Sequence, residues 1–373
     1  MKMEKLNETK EKVVVGMSGG VDSSVVAYLL KSQGYEVVGL HMKNASEESA
    51  ETDEQLVREI CDKLQIECQV VEYTDEMQKV KDYFAEEYSL GRTPNPCVLC
   101  NKLVKFKPFI DYTEKIGADY FATGHYAVIN HDGGEHKLIV AKDITKDQTY
   151  FLNQLSAQQL SKALFPLGAL DKSEVREIAK EIGLPNADKK DSQDICFLGS
   201  QKFKDFMDKN YPAKPGNIVD ELTGNVVGKH SGLNKYTIGQ RKGLGIGGGL
   251  GKTLDAWFVT RKDAKTNSLY VAQGGEEILF SDSLLCSNFN WIMRPENKTE
   301  FNCDAKFRYR QNPQGVKVVC LDDGSVQVEF NEKQKAITPG QFVVLYKTVG
   351  DETYCLGGGK IDAVLKGGEI LHI

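Results

Sequence analysis

The chain has 373 residues, 40% hydrophobic and 27% charged, with a net charge of −6. That length exceeds one ordinary core and predicts two or three domains. The lack of any apolar run near the ~20 residues of a membrane helix argues against a spanning protein, and the acidic balance argues against a chain-wide basic field for nucleic acid. Nine cysteines, an odd number scattered over a long chain, predict reduced thiols and a cytoplasmic protein rather than a disulfide framework. Residues 1–12 are polar and mixed in charge, without the apolar stretch of a signal peptide.

In chain order, Val13-Val14-Val15 reads as a buried parallel strand. Ser18-Gly19-Gly20-Val21-Asp22-Ser23-Ser24 follows. Helical spacing then runs over 25–31 and stops at Gly34, a C-cap residue. Strands are expected at 35–42, 67–73 and 119–122. Helices are expected at 53–64, with Thr52 as cap, and at 76–88 and 102–116. This order predicts a parallel sheet with helices on both faces. His131-Asp132-Gly133-Gly134 predicts a hairpin into 137–141, and helices follow at 156–164, 173–182 and 201–209. After Pro212, Gly, Thr, Val and short alternating runs replace helical patterns. The expected domains are therefore an α/β domain over 1–210, a small β-rich domain over 211–275 and a barrel-like β unit over 276–373. Residues 316–321 and 326–330 read as a hairpin around Asp322-Asp323-Gly324-Ser325.

The Ser18–Ser24 loop joins a strand to a helix N-terminus, where free N–H groups and the helix dipole favour an anion. Its glycines permit close backbone approach. Ser18, Ser23 and Ser24 offer hydroxyl donors. No lysine lies in the loop, so it is not a Walker A loop. Gly243-Leu244-Gly245-Ile246-Gly247-Gly248 matches G-x-G-x-x-G, and Gly251-Lys252-Thr253 matches the end of a Walker A loop. Neither opens a helix, and both fail the structural context such motifs need. Three basic clusters stand out: Lys102, Lys105 and Lys107; Lys229, His230, Lys235, Arg241 and Lys242; and Lys306, Arg308 and Arg310. Each fits a solvated face, and together they fit a polyanion crossing several domains.

Pro94-Asn95-Pro96-Cys97-Val98-Leu99-Cys100-Asn101 holds an extended stretch before a helix expected to start near Cys100. A thiol at a helix N-terminus has a lowered pKa. A lone C-x-x-C fits redox chemistry, half a zinc site or part of an iron–sulfur site. Asp191-Ser192-Gln193-Asp194-Ile195-Cys196-Phe197 places a cysteine after a polar loop. In isolation Cys196 reads as buried and inert. Cys61 and Cys68 read as core.

The loop at 18–23 resembles the pyrophosphate-binding loop of the ATP pyrophosphatase (PP-loop) superfamily. With TPNPCVLCNK at 93–102, TGHYA at 123–127, KDQTYFL at 146–152, DSQDICF at 191–197, GQRKGLGIGG at 239–248, FRYRQ at 307–311, PGQ at 339–341 and CLGGGKI at 355–361, the chain is similar to the bacterial-type tRNA-specific 2-thiouridylases. The resemblance implies an N-terminal PP-loop domain, a central β domain and a C-terminal β-barrel. It implies ATP with Mg2+ on Gly16, Met17, Ser18, Gly19, Gly20, Val21, Asp22, Ser23, Met42 and Gly124. It makes Cys100 the nucleophile and Cys196 the persulfide carrier. It sets the target base near Asn95, Pro96 and Cys97, and tRNA on His125, Lys146, Asp147, Gln148, Arg308, Tyr309 and Gln341. Its implied partners are tRNAs of the Lys, Glu and Gln type with a wobble uridine, and a persulfide sulfur-donor protein.

One position departs from that pattern. Many relatives carry Asp where this chain has Cys97, and that Asp has been given an acid/base or base-positioning role. Three thiolates, Cys97, Cys100 and Cys196, could instead hold a [4Fe-4S] cluster with an open fourth position. The persulfide route is the preferred expectation, because a thiol can occupy the Asp position. Two other functions compete. A small-molecule adenylating ligase fits the loop but leaves the β modules and the cysteine pair unused. A redox-sensing RNA-binding protein leaves the loop unexplained.

Overall fold

The computed structural model describes residues 10–43, 50–72, 75–131, 135–190, 203–212, 214–246, 255–274, 276–296 and 298–372. The chain divides into two compact units. One holds Met1–Met77, Cys100–Gly199 and Thr348–Cys355, and the other Gln78–Leu99, Ser200–Lys347 and Leu356–Ile373.

The first unit is built on a parallel sheet. Its strands, in spatial order, are β3 (Glu67–Glu72), β2 (Glu36–Lys43), β1 (Lys12–Gly16), and then Tyr120–Ala122 and Ala163–Leu164. Val13, Val14 and Val15 are wholly buried. Their β-branched side chains suit a strand covered on both faces, and each contributes about 1.5–3 kcal/mol by leaving water. Helix α1 (Val21–Ser32) and helix α2 (Ala50–Leu64) bury Val25, Val26, Leu30, Val57 and Ile60 in the same core. Helix α1 closes at Gly34, with Gly34 N–H donating to Lys31 and Tyr35 N–H to Leu30, a Schellman stop. The expected hairpin forms from Val128–Asn130 and Lys137–Ile139, and Lys137–Ile139 also pairs with Tyr354 and Cys355.

Three local features depart from the sequence expectation. The helix expected over 156–164 stops at Ser161, and Ala163–Leu164 instead joins the parallel sheet beside Tyr120–Ala122. Helix α1 begins at Val21, not Val25, so Asp22, Ser23 and Ser24 lie in its first turn. The Ser23 and Ser24 hydroxyls donate back to the Gly20 carbonyl, at 3.1 and 2.9 Å, and so close that turn themselves. The stretch expected as one helix over 102–116 is instead two segments, a π-helical turn at Asn101–Phe106 and the helix Lys107–Lys115, and a short helix, Pro96–Cys100, runs into them.

The second unit is mostly β. Helix α3 (Asp75–Ser89) contributes Phe84, whose ring meets Tyr88, Phe206 and Tyr211 at 4.8, 6.5 and 6.3 Å. A four-stranded sheet orders Trp257–Asp263, Ser268–Gln273, Gly216–Asp220 and Val226–His230 around Ile218, Trp257, Val259, Leu269 and Val271. A longer antiparallel path runs Glu369–His372, Ala363–Lys366, Phe280–Cys286, Val326–Lys335, Gln314–Cys320, Glu300–Lys306 and Phe342–Val349. The hairpin expected around residues 322–325 is present, closed by Leu321 N–H on Ser325 and by Gly324 at φ +84°. No helix among the described residues is long and apolar enough to cross a membrane.

Candidate nucleotide and cysteine sites

The turn after β1 is preorganised by its own side chains. Gly19 takes φ +72°, a conformation that favours glycine. Ser18 N–H donates to Ser23 Oγ at 3.3 Å. Asn186, almost fully buried, donates through Nδ2 to the Gly19 carbonyl at 3.1 Å and to Ser24 Oγ at 3.0 Å. Its Oδ1 is buried without a partner among the described residues. By helix geometry the first N–H groups of α1 have no acceptor one turn back, and they carry the positive end of its dipole. Behind the turn, His41 Nδ1 meets the Met17 carbonyl at 2.8 Å.

Asp22 is the hub of the site. Lys172, the first residue of the helix Lys172–Glu181, donates from Nζ to both carboxylate oxygens at 2.6 and 2.8 Å. The Tyr126 hydroxyl donates to Oδ1 at 3.0 Å, and the Lys172 ammonium lies 5.6 Å from the centre of the Tyr126 ring. Tyr126 is itself fixed by Gln148, whose Oε1 accepts from Tyr126 N–H at 3.0 Å and whose N–H donates to the Tyr126 carbonyl at 2.8 Å. A Cβ on Gly124 would lie 3.0 Å from Asp22 Cβ and 3.1 Å from Ser23 N, so any side chain there would push that segment and the turn apart. The TGHYA and KDQTYFL segments therefore stand directly behind the SGGVDSS loop. Lys172 and Asn186, absent from the sequence reading, complete it. The capping box Asp171/Glu174 marks the start of the helix that carries Lys172, but no sequence signal paired Lys172 with Asp22.

The other residues expected to meet tRNA fall into two groups. His125 and Asp147 are buried, at 8% and 3% exposure. His125 Nδ1 meets Thr123 Oγ1 at 2.7 Å, and its ring packs on Phe106 and Phe165. Burial, with a smaller push from Lys105, holds its pKa well below the usual histidine range. Asp147 accepts from Ala141 N–H, Thr149 N–H and Thr149 Oγ1. Both side chains are spent on internal structure. Lys146 and Gln148 are half-buried, Arg308 is exposed and Tyr309 half-buried. Arg308 donates to the carbonyls of Lys335 and Ala336. The third basic cluster is not a plain solvated face: Lys306 is buried, with its ammonium 5.1 Å from the centre of the Tyr346 ring. His230, in the second cluster, is also buried, bonded to Asn267 and Gly232.

The helix carrying the cysteine pair begins at Pro96, a residue preorganised for a first helical position. Its N-terminal turn therefore holds Cys97, half-buried. Cys100 is one turn in, 4% exposed, at the entry to the π-helical turn. The favourable helix-end position expected for Cys100 belongs to Cys97. Cys196 lies outside the described residues. Cys61 is core as expected, and Cys68 is half-buried and packs against the same core. A hydrogen bond from the Cys61 thiol lowers its pKa to about 7, while the Cys61 thiol is pushed up.

Comparison with known proteins gives the family of the chain. Residues 11–200 match the family described as tRNA methyl transferase HUP domain, residues 204–273 the tRNA methyl transferase PRC-barrel domain, and residues 281–361 the aminomethyltransferase beta-barrel domain. The chain is 50% identical over 99% of its length to tRNA-specific 2-thiouridylase MnmA of Bacillus cytotoxicus, covering 99% of that protein. It is 51% identical over 95% of its length to the protein of the same name from Alkaliphilus oremlandii, covering 98% of it. Among solved structures it has a distant likeness to U34-tRNA thiolase NcsA from Methanococcus maripaludis with its [4Fe-4S] cluster (21% identity, TM-score 0.35, 54% of this chain and 67% of that one). A PP-loop α/β domain, a PRC-barrel middle domain and a C-terminal β-barrel, with full-length identity near one half, establish the relationship: the chain belongs to the tRNA-specific 2-thiouridylase family.

Proposed function

We propose that the protein is an ATP-dependent tRNA sulfurtransferase that replaces the C2 oxygen of a wobble uridine with sulfur, releasing AMP and pyrophosphate. The observation that carries this reading is the Lys172–Asp22 pair at the anion-ready turn of α1. A turn of this kind without a cation would bind phosphate weakly. Here the cation arrives from a distant helix and is aimed by Asp22 and Tyr126.

ATP enters as its magnesium complex and lies along Gly16–Ser23, beside Met42 and Gly124. The uridine C2 carbonyl is a poor electrophile because its oxygen leaves badly. Attack by that oxygen on the α-phosphorus forms the adenylate and expels pyrophosphate. Lys172 and the α1 N–H groups stabilise the charge that gathers on the departing pyrophosphate. A donor protein loads Cys196 with a sulfane sulfur. The terminal sulfur of that persulfide attacks C2, AMP departs with the bonding pair, and a Cys196–S–S–C2 adduct forms. The Cys100 thiolate then attacks Cys196 Sγ, giving a Cys100–Cys196 disulfide and the thiocarbonyl. A cellular dithiol reduces the disulfide for the next round. Asn95, Pro96 and Cys97 meet the target base, with Cys97 in place of the Asp of many relatives. Lys146, Gln148, Arg308, Tyr309 and Gln341 hold tRNA.

The test is ATP turnover with and without tRNA carrying an unmodified wobble uridine. AMP and pyrophosphate should appear in step with 2-thiouridine, and only with that tRNA. Turnover indifferent to tRNA would return the reading to a small-molecule adenylating ligase.

A further inference from the structure

The segment Arg92–Asn95 runs without regular structure into the helix Pro96–Cys100, and its backbone is held from several sides inside the second unit. Gln341 Nε2 donates to the Thr93 carbonyl at 2.7 Å and to the Pro94 carbonyl at 3.4 Å. Thr93 N–H donates to the Pro339 carbonyl at 3.0 Å. Lys262 Nζ, from the central sheet, reaches the Arg92 carbonyl at 3.4 Å and the Tyr236 carbonyl at 3.0 Å. Beneath the segment lies Glu87, 3% exposed on α3. Lys360 donates to Glu87 Oε1 at 2.7 Å, and the Arg92 guanidinium stands 3.6 Å from the same oxygen. Gly340, at φ +89°, leaves room for this: a Cβ there would sit 3.0 Å from the Thr93 carbonyl oxygen and 3.1 Å from Glu87 Oε2.

The cost of this arrangement shows that it is specific. Glu87 Oε2, Thr93 Oγ1 and Tyr83 OH are all buried without a partner among the described residues. A buried carboxylate with one unsatisfied oxygen costs stability, offset here in part by the two cations on its other oxygen. An apolar residue at Glu87 would fill the space more cheaply for stability alone. What the charge fixes is the pair of cations Lys360 and Arg92. Arg92 belongs to the segment, and Lys360 is the last residue of the strand Glu352–Lys360.

We propose that Glu87 and Gln341 are positioning residues: Gln341 and Lys262 hold the carbonyls of Arg92, Thr93 and Pro94, Glu87, braced by Lys360, holds the Arg92 guanidinium, and this clasp sets the pose of Asn95-Pro96-Cys97. This rests on the reading that residues 95–97 meet the target base. It gives Gln341 a task besides tRNA contact, since its amide donor is spent on the segment's backbone. It also means that the turn over 339–341, just before the strand Phe342–Val349, is hydrogen-bonded to the backbone that leads into residues 95–97.

The test uses the full-length protein and the variants Glu87→Gln and Gln341→Leu, with two readouts. The first is the alkylation rate of Cys97 by iodoacetamide without tRNA or ATP, followed by peptide mapping. This needs no activity and does not depend on the functional reading. The clasp predicts a several-fold change in both variants. The second is thiolation kinetics: misplacing a base-positioning segment should lower kcat by ~10- to 100-fold in both variants, while the tRNA affinity of Glu87→Gln, a buried residue that meets no tRNA, stays within about twofold. If Glu87→Gln does not fold, Gln341→Leu carries the test, because it removes one amide and leaves the buried charge paired. Unchanged Cys97 alkylation and unchanged kcat in the folded variants would overturn the clasp. Weaker tRNA binding by Gln341→Leu with unchanged alkylation would also overturn it, making Gln341 a plain tRNA contact. Wild type that fails to thiolate tRNA while the alkylation rates do shift would sink the functional reading and leave the clasp standing.

Discussion

Lys172 Nζ sits 2.6 and 2.8 Å from the two carboxylate oxygens of Asp22, a residue 150 positions earlier in the chain. Lys172 is 11% and Asp22 31% exposed at the side chain, so the pair is partly sheltered at the edge of the Ser18–Ser24 turn. The loop lacks the lysine of a Walker A motif, and the fold supplies one from a helix start that the loop's own carboxylate aims.

Asp22→Ala and Lys172→Met should each reduce tRNA-dependent pyrophosphate release at least ~100-fold while leaving the circular dichroism spectrum and melting profile close to wild type. Because the two residues act as one unit, the double variant should be little worse than either single one. Normal adenylation by folded Asp22→Ala would refute the assignment of the turn.

Gly124→Ala places a Cβ 3.0 Å from Asp22 Cβ and 3.1 Å from the Ser23 amide nitrogen. One of those neighbours is backbone at the start of α1 and cannot swing away. The substitution should cost about 1–3 kcal/mol of stability and weaken ATP binding, both read from melts with and without nucleotide. A variant with unchanged ATP affinity would show that the turn tolerates displacement.

His125 links stability to acid pH. Its folded pKa is held well below the ordinary histidine value of about 6.5 by burial. Below pH 6.5 the unfolded chain takes up a proton that the folded chain refuses. Stability is therefore full above pH 6.5 and falls as pH drops, by up to about 1.4 kcal/mol per unit, until the folded pKa is reached. His125→Gln, which keeps a polar partner for Thr123, should flatten that limb in denaturant titrations. An unchanged slope would mean that other groups govern the acid limb.

Much of this was legible in the sequence, for physical reasons. Val13-Val14-Val15, the glycines and serines of 18–24 and the stop at Gly34 announce a strand–turn–helix with periodicities that neighbours do not override. The start of α1 at Val21 was missed because the Ser23 and Ser24 hydroxyls, expected to face a ligand, instead bond Gly20 and add a turn. The helix start at Pro96 was missed because Pro94 and Pro96 both suggest extended chain, although proline at a first helical position costs nothing. Lys172 and Asn186 were not legible. Their partners lie 150 and 162 to 167 residues away in sequence, and pairing over that range is set by tertiary packing.

Arg310 is exposed, whereas Arg308 is tied to the Lys335 and Ala336 carbonyls. Arg310→Ala should weaken tRNA binding and reduce its dependence on log salt by about one unit, with no change in melting temperature. Arg308→Ala should lower the melting temperature as well. Binding by Arg310→Ala equal to wild type at low and physiological salt would leave that arginine as ordinary surface.

The proposed sulfur step is tested most directly by tracing the sulfur. Protein stripped of iron by a chelator is loaded with a 35S-labelled persulfide and mixed with magnesium ATP and tRNA bearing an unmodified wobble uridine, in a single turnover. The account predicts 35S in the tRNA as 2-thiouridine in equal amount to AMP, a Cys100–Cys196 disulfide in the spent protein, and the same outcome for Cys97→Asp. If iron-free wild type transfers no label, and activity returns only with a reconstituted iron–sulfur cluster and is lost in Cys97→Asp, the persulfide route is contradicted.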